Sequence, residues 1–179
     1  SIAIPNSVTT IGNSAFTGCS GLTSIAIPAS VTSIGDQAFS GCSGLTSITI
    51  GSGVKSIGQG AFTGCSGLTS VTVEKGNTTY HSAGNCIIET ATKTLIAGCK
   101  DSIIPADGSV TSIDNEAFYG CSGLTAIDIP NSVKRIGQYA FAWCSGLTSL
   151  TIGSGVTTIG NSAFTGCNKL TSISIPASV

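Results

Sequence analysis

The apolar positions of this chain come in short alternating runs. In Leu22-Thr23-Ser24-Ile25-Ala26-Ile27, Ile25 and Ile27 point to one side and Ser24 and Ala26 to the other. A period of two in β-branched residues predicts a strand buried on one face. Pro28 ends the run, because proline lacks an N–H and fixes φ. Val31 and Ile34 form a second apolar pair, Gly35 permits a tight bend, and Ala38 and Phe39 turn inward.

The whole pattern then recurs. Phe16, Phe39 and Phe62 lie 23 residues apart, as do Phe118, Phe141 and Phe164. Cys19, Cys42, Cys65, Cys121, Cys144 and Cys167 follow three residues behind each phenylalanine. A fixed period of this length predicts a solenoid, in which each coil is too small to hold its own core and neighbours bury one another. Parallel stacking at ~4.8 Å places each Phe and Cys on its equivalent in the next coil. These twelve residues are the expected structural ladder. Its cysteines are expected as buried free thiols, because stacked equivalent sites keep their Cβ atoms too far apart and too parallel for a disulfide.

The repeat reads I-P-x-S-V-T-x-I-G-x-x-A-F-x-G-C-S-G-L-T-S-I. It resembles the 23-residue leucine-rich repeat of the BspA-like, or Treponema-type, surface proteins, over nearly the whole chain. The resemblance implies a leucine-rich-repeat solenoid: a β-rich right-handed coil with a parallel sheet and short strands or helical turns on the other side. It also implies a bacterial, extracellular or cell-surface location and a role in adhesion or ligand binding, with no enzyme activity. The expected organisation is one domain over 1–179. Both ends stop at the same phase of the repeat, so the chain reads as a fragment of a longer array.

One coil departs from the rule. Phe62 and Phe118 are 56 residues apart, ten more than two repeats. The extra residues fall within 74–107, where Cys86–Glu89 and Thr94–Ala97 read as a β-hairpin around the polar turn 90–93. Ser102–Pro105 looks like a return to the strand register of the other coils. The insertion has two readings: a local brace, or a recognition element carrying Tyr80, His81, Glu89 and Lys93. Cys86 and Cys99 flank the hairpin and are expected reduced and buried, although a bond between them is an open alternative.

The outward face of the repeated strand is the natural ligand surface. It carries Thr23, Ser24, Thr46, Ser47, Thr49, Thr69, Ser70 and Thr72, then Thr125, Asp128, Thr148, Ser149 and Thr151. Such a lattice of small hydroxyls holds few of the aromatic and Arg residues that dominate binding hot spots, so multivalency would have to supply affinity. Trp143 stands where the other coils have Gly18, Gly41, Gly64, Gly120 and Gly166, with Tyr119 and Tyr139 nearby. These rings are either an aromatic contact patch or cover for the cysteine corner.

Composition narrows the function further. Only 8% of residues are charged and the net charge is −1, so the clustered cations that nucleic-acid binding requires are missing. No apolar run reaches the ~18–20 residues of a membrane-spanning helix. There is a single histidine, His81, and no C-x-x-C pair. No catalytic, metal or cofactor site is therefore expected. The expected partners are host or microbial surface proteins or glycans, with self-association through open solenoid ends as a further route. That route favours an alternative function, a structural spacer or fibre-forming array.

Overall fold

In the computed structural model, which describes residues 2–179, the 23-residue segments stack as rungs of a β-solenoid of about 7 turns. The first strand of each rung gives one parallel sheet from β1 (Ile2–Ala3), β3 (Ser24–Ala26), β5 (Ser47–Ile50) and β7 (Ser70–Val73). Ile25, Ile48 and Val71 are in register, as are Ser24, Ser47 and Ser70, so like side chains stack on like. The second, two-residue strands β2 (Thr10–Ile11), β4 (Ser33–Ile34) and β6 (Ser56–Ile57) form a separate parallel sheet. No helix occurs among the described residues.

The corner after the second strand is a run of tight turns. Ala38 N donates to Gly35 O, Ser40 N to Gln37 O and Cys42 N to Phe39 O. These residues do not continue as a helix, because Gln37 (φ 54°) and Gly41 (φ 70°) are left-handed. The same two positions are left-handed in the other rungs, with Ser14, Gly60, Glu116, Tyr139 and Ser162 at the first.

Inside the corner the phenylalanines stack nearly parallel. Ring centroids are 5.1 Å apart for Phe16–Phe39, 5.7 Å for Phe39–Phe62, 4.8 Å for Phe118–Phe141 and 5.5 Å for Phe141–Phe164. Behind them four of the thiols find a carbonyl acceptor one rung back. Cys42 Sγ donates to Phe16 O at 3.1 Å, and Cys65, Cys144 and Cys167 to Phe39, Phe118 and Phe141 O at 3.2 Å. Cysteine suits this column as a small apolar residue that still satisfies a carbonyl. All eight cysteines, including Cys86 and Cys99, are free.

The insertion forms three strands. β8 (Tyr80–Ala83), β9 (Cys86–Glu89) and β10 (Thr94–Ala97) make an antiparallel meander. The β9–β10 pair thus gains a third strand that sequence patterning missed. Past it, β11 (Ser112–Ile113), β13 (Arg135–Ile136) and β15 (Thr158–Ile159) continue in parallel from β10. The first-strand sheet restarts with β12 (Ala126–Ile129) and β14 (Ser149–Ile152).

The meander is a septum through the core. Ile87, with Tyr80, Ala97 and Cys99, belongs to the apolar cluster of the preceding rungs. Cys86, Ile88 and Leu95 belong to the cluster of the following ones. Adjacent residues of a strand face opposite ways, so one strand serves two half-cores. The insertion is therefore not a brace outside the coil.

The septum also takes over part of the missing corner. Gly98 N donates to Ala117 O, the bond that phenylalanine makes in other rungs, and a Cβ on Gly98 would lie 2.0 Å from the Phe118 ring. Gly98 thus stands in the phenylalanine slot and leaves it to Phe118. Ser102–Pro105 does not resume the strand register. Ser102 Oγ donates to Asn85 O at 2.8 Å and accepts from Cys99 N, while Ile103 N donates to Gly84 O. Claimed by the β8–β9 turn, this segment adds no strand, and Ile103 is left 75% exposed.

Candidate ligand-binding faces

The hydroxyl lattice exists as two patches. Ser24, Ser47, Thr49, Ser70 and Thr72 lie on the first-strand sheet before the septum, and Asp128, Ser149 and Thr151 on the strands after it. All are exposed or half-buried. Between the patches, Ile103, Ile104 and Ala106 face Ala126, Ile127, Asp128 and Pro130 across a cleft of about 370 Å³. The threonine column beside the patches is largely structural. Thr46 Oγ1 donates to Thr23 O, Thr69 Oγ1 to Thr46 O and Thr148 Oγ1 to Thr125 O, at 2.9–3.0 Å. These threonines carry the ladder one atom beyond the backbone and have spent their protons. By contrast, the side chains of Ser47, Thr49, Ser70, Thr72, Ser149 and Thr151 make no hydrogen bond among the described residues.

The four insertion residues do not form one site. Tyr80 is only 4% exposed, and its Oη accepts from Ile57 N at 3.1 Å, so it belongs to the core rather than to a recognition surface. Burial raises its phenol pKa. His81 and Glu89 are half-buried, with His81 Nδ1 2.9 Å from Thr90 Oγ1. Lys93 is exposed in the β9–β10 turn with φ 56°. Cys86 cannot serve His81 as a nucleophile. It is fully buried, and burial pushes its thiol up to about 12. Asn77, which opens the Asn-x-Thr glycosylation sequence Asn77-Thr78-Thr79, is equally committed. Its Nδ2 donates to Gly51 O and Val54 O, and its Oδ1 accepts from Thr79 N and Tyr80 N.

The corner carries an open trough of about 620 Å³. Its walls are Gln37, Ser40 and Thr63 on one side of the septum and Glu116, Tyr119, Tyr139, Trp143, Ser162 and Thr165 on the other. At the outer edge of the corner, beyond the Gly98–Ala117 bond, the two halves meet directly: Gly64 N donates to Tyr119 O, and Gln59 Nε2 donates to Glu116 Oε1 at 2.9 Å. Trp143 is 51% exposed and Tyr139 37%. The glycines equivalent to Trp143 have φ of 68–76°, and Trp143 adopts 61°. Its indole lies against Gly166, where a Cβ would sit 2.7 Å from Cε3. The sequence showed the substitution; the backbone it imposes and the trough it helps to build depend on coil stacking across the insertion.

The profile of the BspA type leucine rich repeat region matches residues 1–97 and 93–179, with 6 copies. The chain belongs to this family. A leucine rich cell surface protein from Faecalibacterium prausnitzii A2-165 has the same fold, with 33% identity and a TM-score of 0.83 over 98% of this chain. The BspA-type chain spans 47% of that protein's length. The pneumococcal vaccine antigen PcpA (21% identity, TM-score 0.68) aligns over 96% of this chain and 55% of its own. The T. pallidum leucine-rich-repeat protein (24%, 0.53) aligns over 91% and 72%. These two share the fold. Comparison with curated protein sequences gives no match.

On the strands the unbonded polar side chains are neutral hydroxyls and the Asp128 carboxylate, and the aromatic rings sit at a turn where Trp143 N donates to Thr165 O at 2.6 Å. Burial holds Cys65, Cys86 and Cys144 thiols near 12 and Cys121 well above its ordinary value, which removes them as nucleophiles.

Proposed function

We propose that this chain is a non-catalytic binding module of an extracellular, cell-surface repeat protein, and that it contacts a surface protein or glycan through its rigid outer faces. The observation that carries this reading is the division of labour among its hydroxyls. One column is consumed in holding the rungs together, and a neighbouring set, Ser47, Thr49, Ser70, Thr72, Ser149 and Thr151, is presented with nothing to bond. Likeness to a cell surface protein across almost the whole chain supports the location. Small, evenly spaced hydroxyls give weak individual contacts, so binding is expected to grow steeply with the number of chains presented together.

The test is a solid-phase array of matrix proteins and glycans probed with the chain as a monomer and as a multivalent display. Retention of the multivalent form on at least one ligand, with loss after Thr49→Ala/Ser70→Ala/Thr72→Ala, is the expected result. A properly folded multivalent chain that is retained by none of them overturns the proposal.

A further inference from the structure

The corner trough differs from every other surface of the molecule in combining exposed aromatic rings with neutral polar groups. Its lining contains three rings, four hydroxyl side chains, one amide and one carboxylate. No lysine, arginine or histidine lines it, and no aliphatic side chain. An anionic ligand would find no counter-charge. A protein anchor of the leucine or isoleucine kind would find no aliphatic pocket. What the lining does match is a molecule with flat C–H faces for stacking and hydroxyls at its edges.

The layout along the trough is also that of a polymer site. The lining comes from five successive corners, those of Gln37, Thr63, Tyr119, Trp143 and Thr165, or about 19 Å at the ~4.8 Å rung spacing. The lining side chains come from the same two positions of the rungs, Gln37, Glu116, Tyr139 and Ser162 from one and Ser40, Thr63, Tyr119 and Thr165 from the other, so they form two rows along the length of the trough. Ala142, fully buried, takes the position that Tyr119 and Thr165 occupy in the rungs on either side. Trp143 supplies the ring at that rung from the adjacent glycine position. A left-handed backbone is costly for a residue with a Cβ, and glycine fills the position everywhere else. Half of the indole remains in solvent, so burial does not account for placing tryptophan there.

We propose that this trough binds a neutral polysaccharide chain, with Trp143 and Tyr139 as stacking platforms and Ser40, Ser162 and Thr165 bonding to its hydroxyls. The proposal rests on the reading of the chain as a binding module and assigns it a site distinct from the free hydroxyl patches. Glu116 is already held by Gln59, and serves as an acceptor at the trough floor.

Trp143 is the one tryptophan in the sequence, so its fluorescence reports on the site directly. The experiment titrates the chain with neutral cello-, xylo- and mannohexaose, and with hexalysine as a cationic probe of the rings and Glu116. The expected result is a saturable blue shift with at least one of the sugars and none with hexalysine. Calorimetry on Trp143→Gly, the residue of the other rungs, is expected to show roughly tenfold or weaker sugar binding with the fold retained. Lys55→Ala, at an exposed side chain outside the trough, is expected to leave sugar binding unchanged. Silence of Trp143 toward all three sugars, equal binding by Trp143→Gly, or a response to hexalysine alone overturns the proposal. Ligand capture on the array with Trp143 silent would remove the trough and leave the module reading intact. Failure of both would remove both.

Discussion

Asn77 lies in a sequence that reads as a glycosylation site, yet its side chain is fully engaged. Both of its amide protons go to Gly51 and Val54 carbonyls one rung back, while its oxygen receives the Thr79 and Tyr80 amides. Asn77→Asp keeps the acceptor and loses both donations, and it sets a carboxylate against two carbonyls. A loss of roughly 2–3 kcal/mol is expected in urea unfolding. Trp143→Gly is milder. Relief of a left-handed residue, about 1–2 kcal/mol, offsets the roughly 0.5–1 kcal/mol entropic cost of glycine and part of the packing lost with the half-buried indole, so a midpoint close to that of the parent is expected. At this scale the sequence showed the phenylalanine and cysteine columns plainly, since each recurs in every regular rung. It could not separate Thr46, whose proton closes the ladder, from Thr49, whose proton is free. Both are threonines at the surface of one rung, and only the neighbouring carbonyl distinguishes them.

At the scale of elements, the septum is what the repeat cannot explain. Ile87→Ala and Ile88→Ala remove similar side chains from adjacent positions, and each is expected to cost about 2–5 kcal/mol. Their effects on hydrogen exchange should be opposite in location. Ile87→Ala should loosen the rungs before the septum, and Ile88→Ala those after it. Equal loosening on both sides in both variants would contradict the two-sided packing of β9. Strands β9 and β10 were legible because their apolar residues cluster around a polar turn. Strand β8 was not, because Tyr80-His81-Ser82-Ala83 has no apolar alternation and holds its place through Tyr80 Oη and Ser82 Oγ. Ser102–Pro105 misled in the opposite way. Its Ile-Ile-Pro matches the other strands, but Ser102 and Ile103 bond to the β8–β9 turn instead of the ladder.

For the molecule as a whole, the buried thiols couple folding to pH, and the fold keeps them from reagents in solvent. The folded chain holds protons on Cys65, Cys86 and Cys144 to about pH 12, whereas the unfolded chain releases them from about pH 9. Their contribution is therefore complete below pH 9 and is lost as pH rises toward 12, by about 1.4 kcal/mol per thiol per pH unit. Urea midpoints should be level from pH 7 to 8.5 and drop steeply at pH 10. An aromatic disulfide reagent at pH 8 should label half-buried Cys19 quickly and the seven buried thiols only on unfolding.

The regular rungs are interchangeable, since each meets its neighbours through the same register, so an array of this kind can gain or lose one without repacking. The septum has no duplicate in the chain, and the trough exists only where the corners on its two sides close over it. Copying any rung but that of Tyr139 and Trp143 would widen the hydroxyl patches and add to their valence. It would not create a second trough, and the number of aromatic sites would stay at one however long the array became.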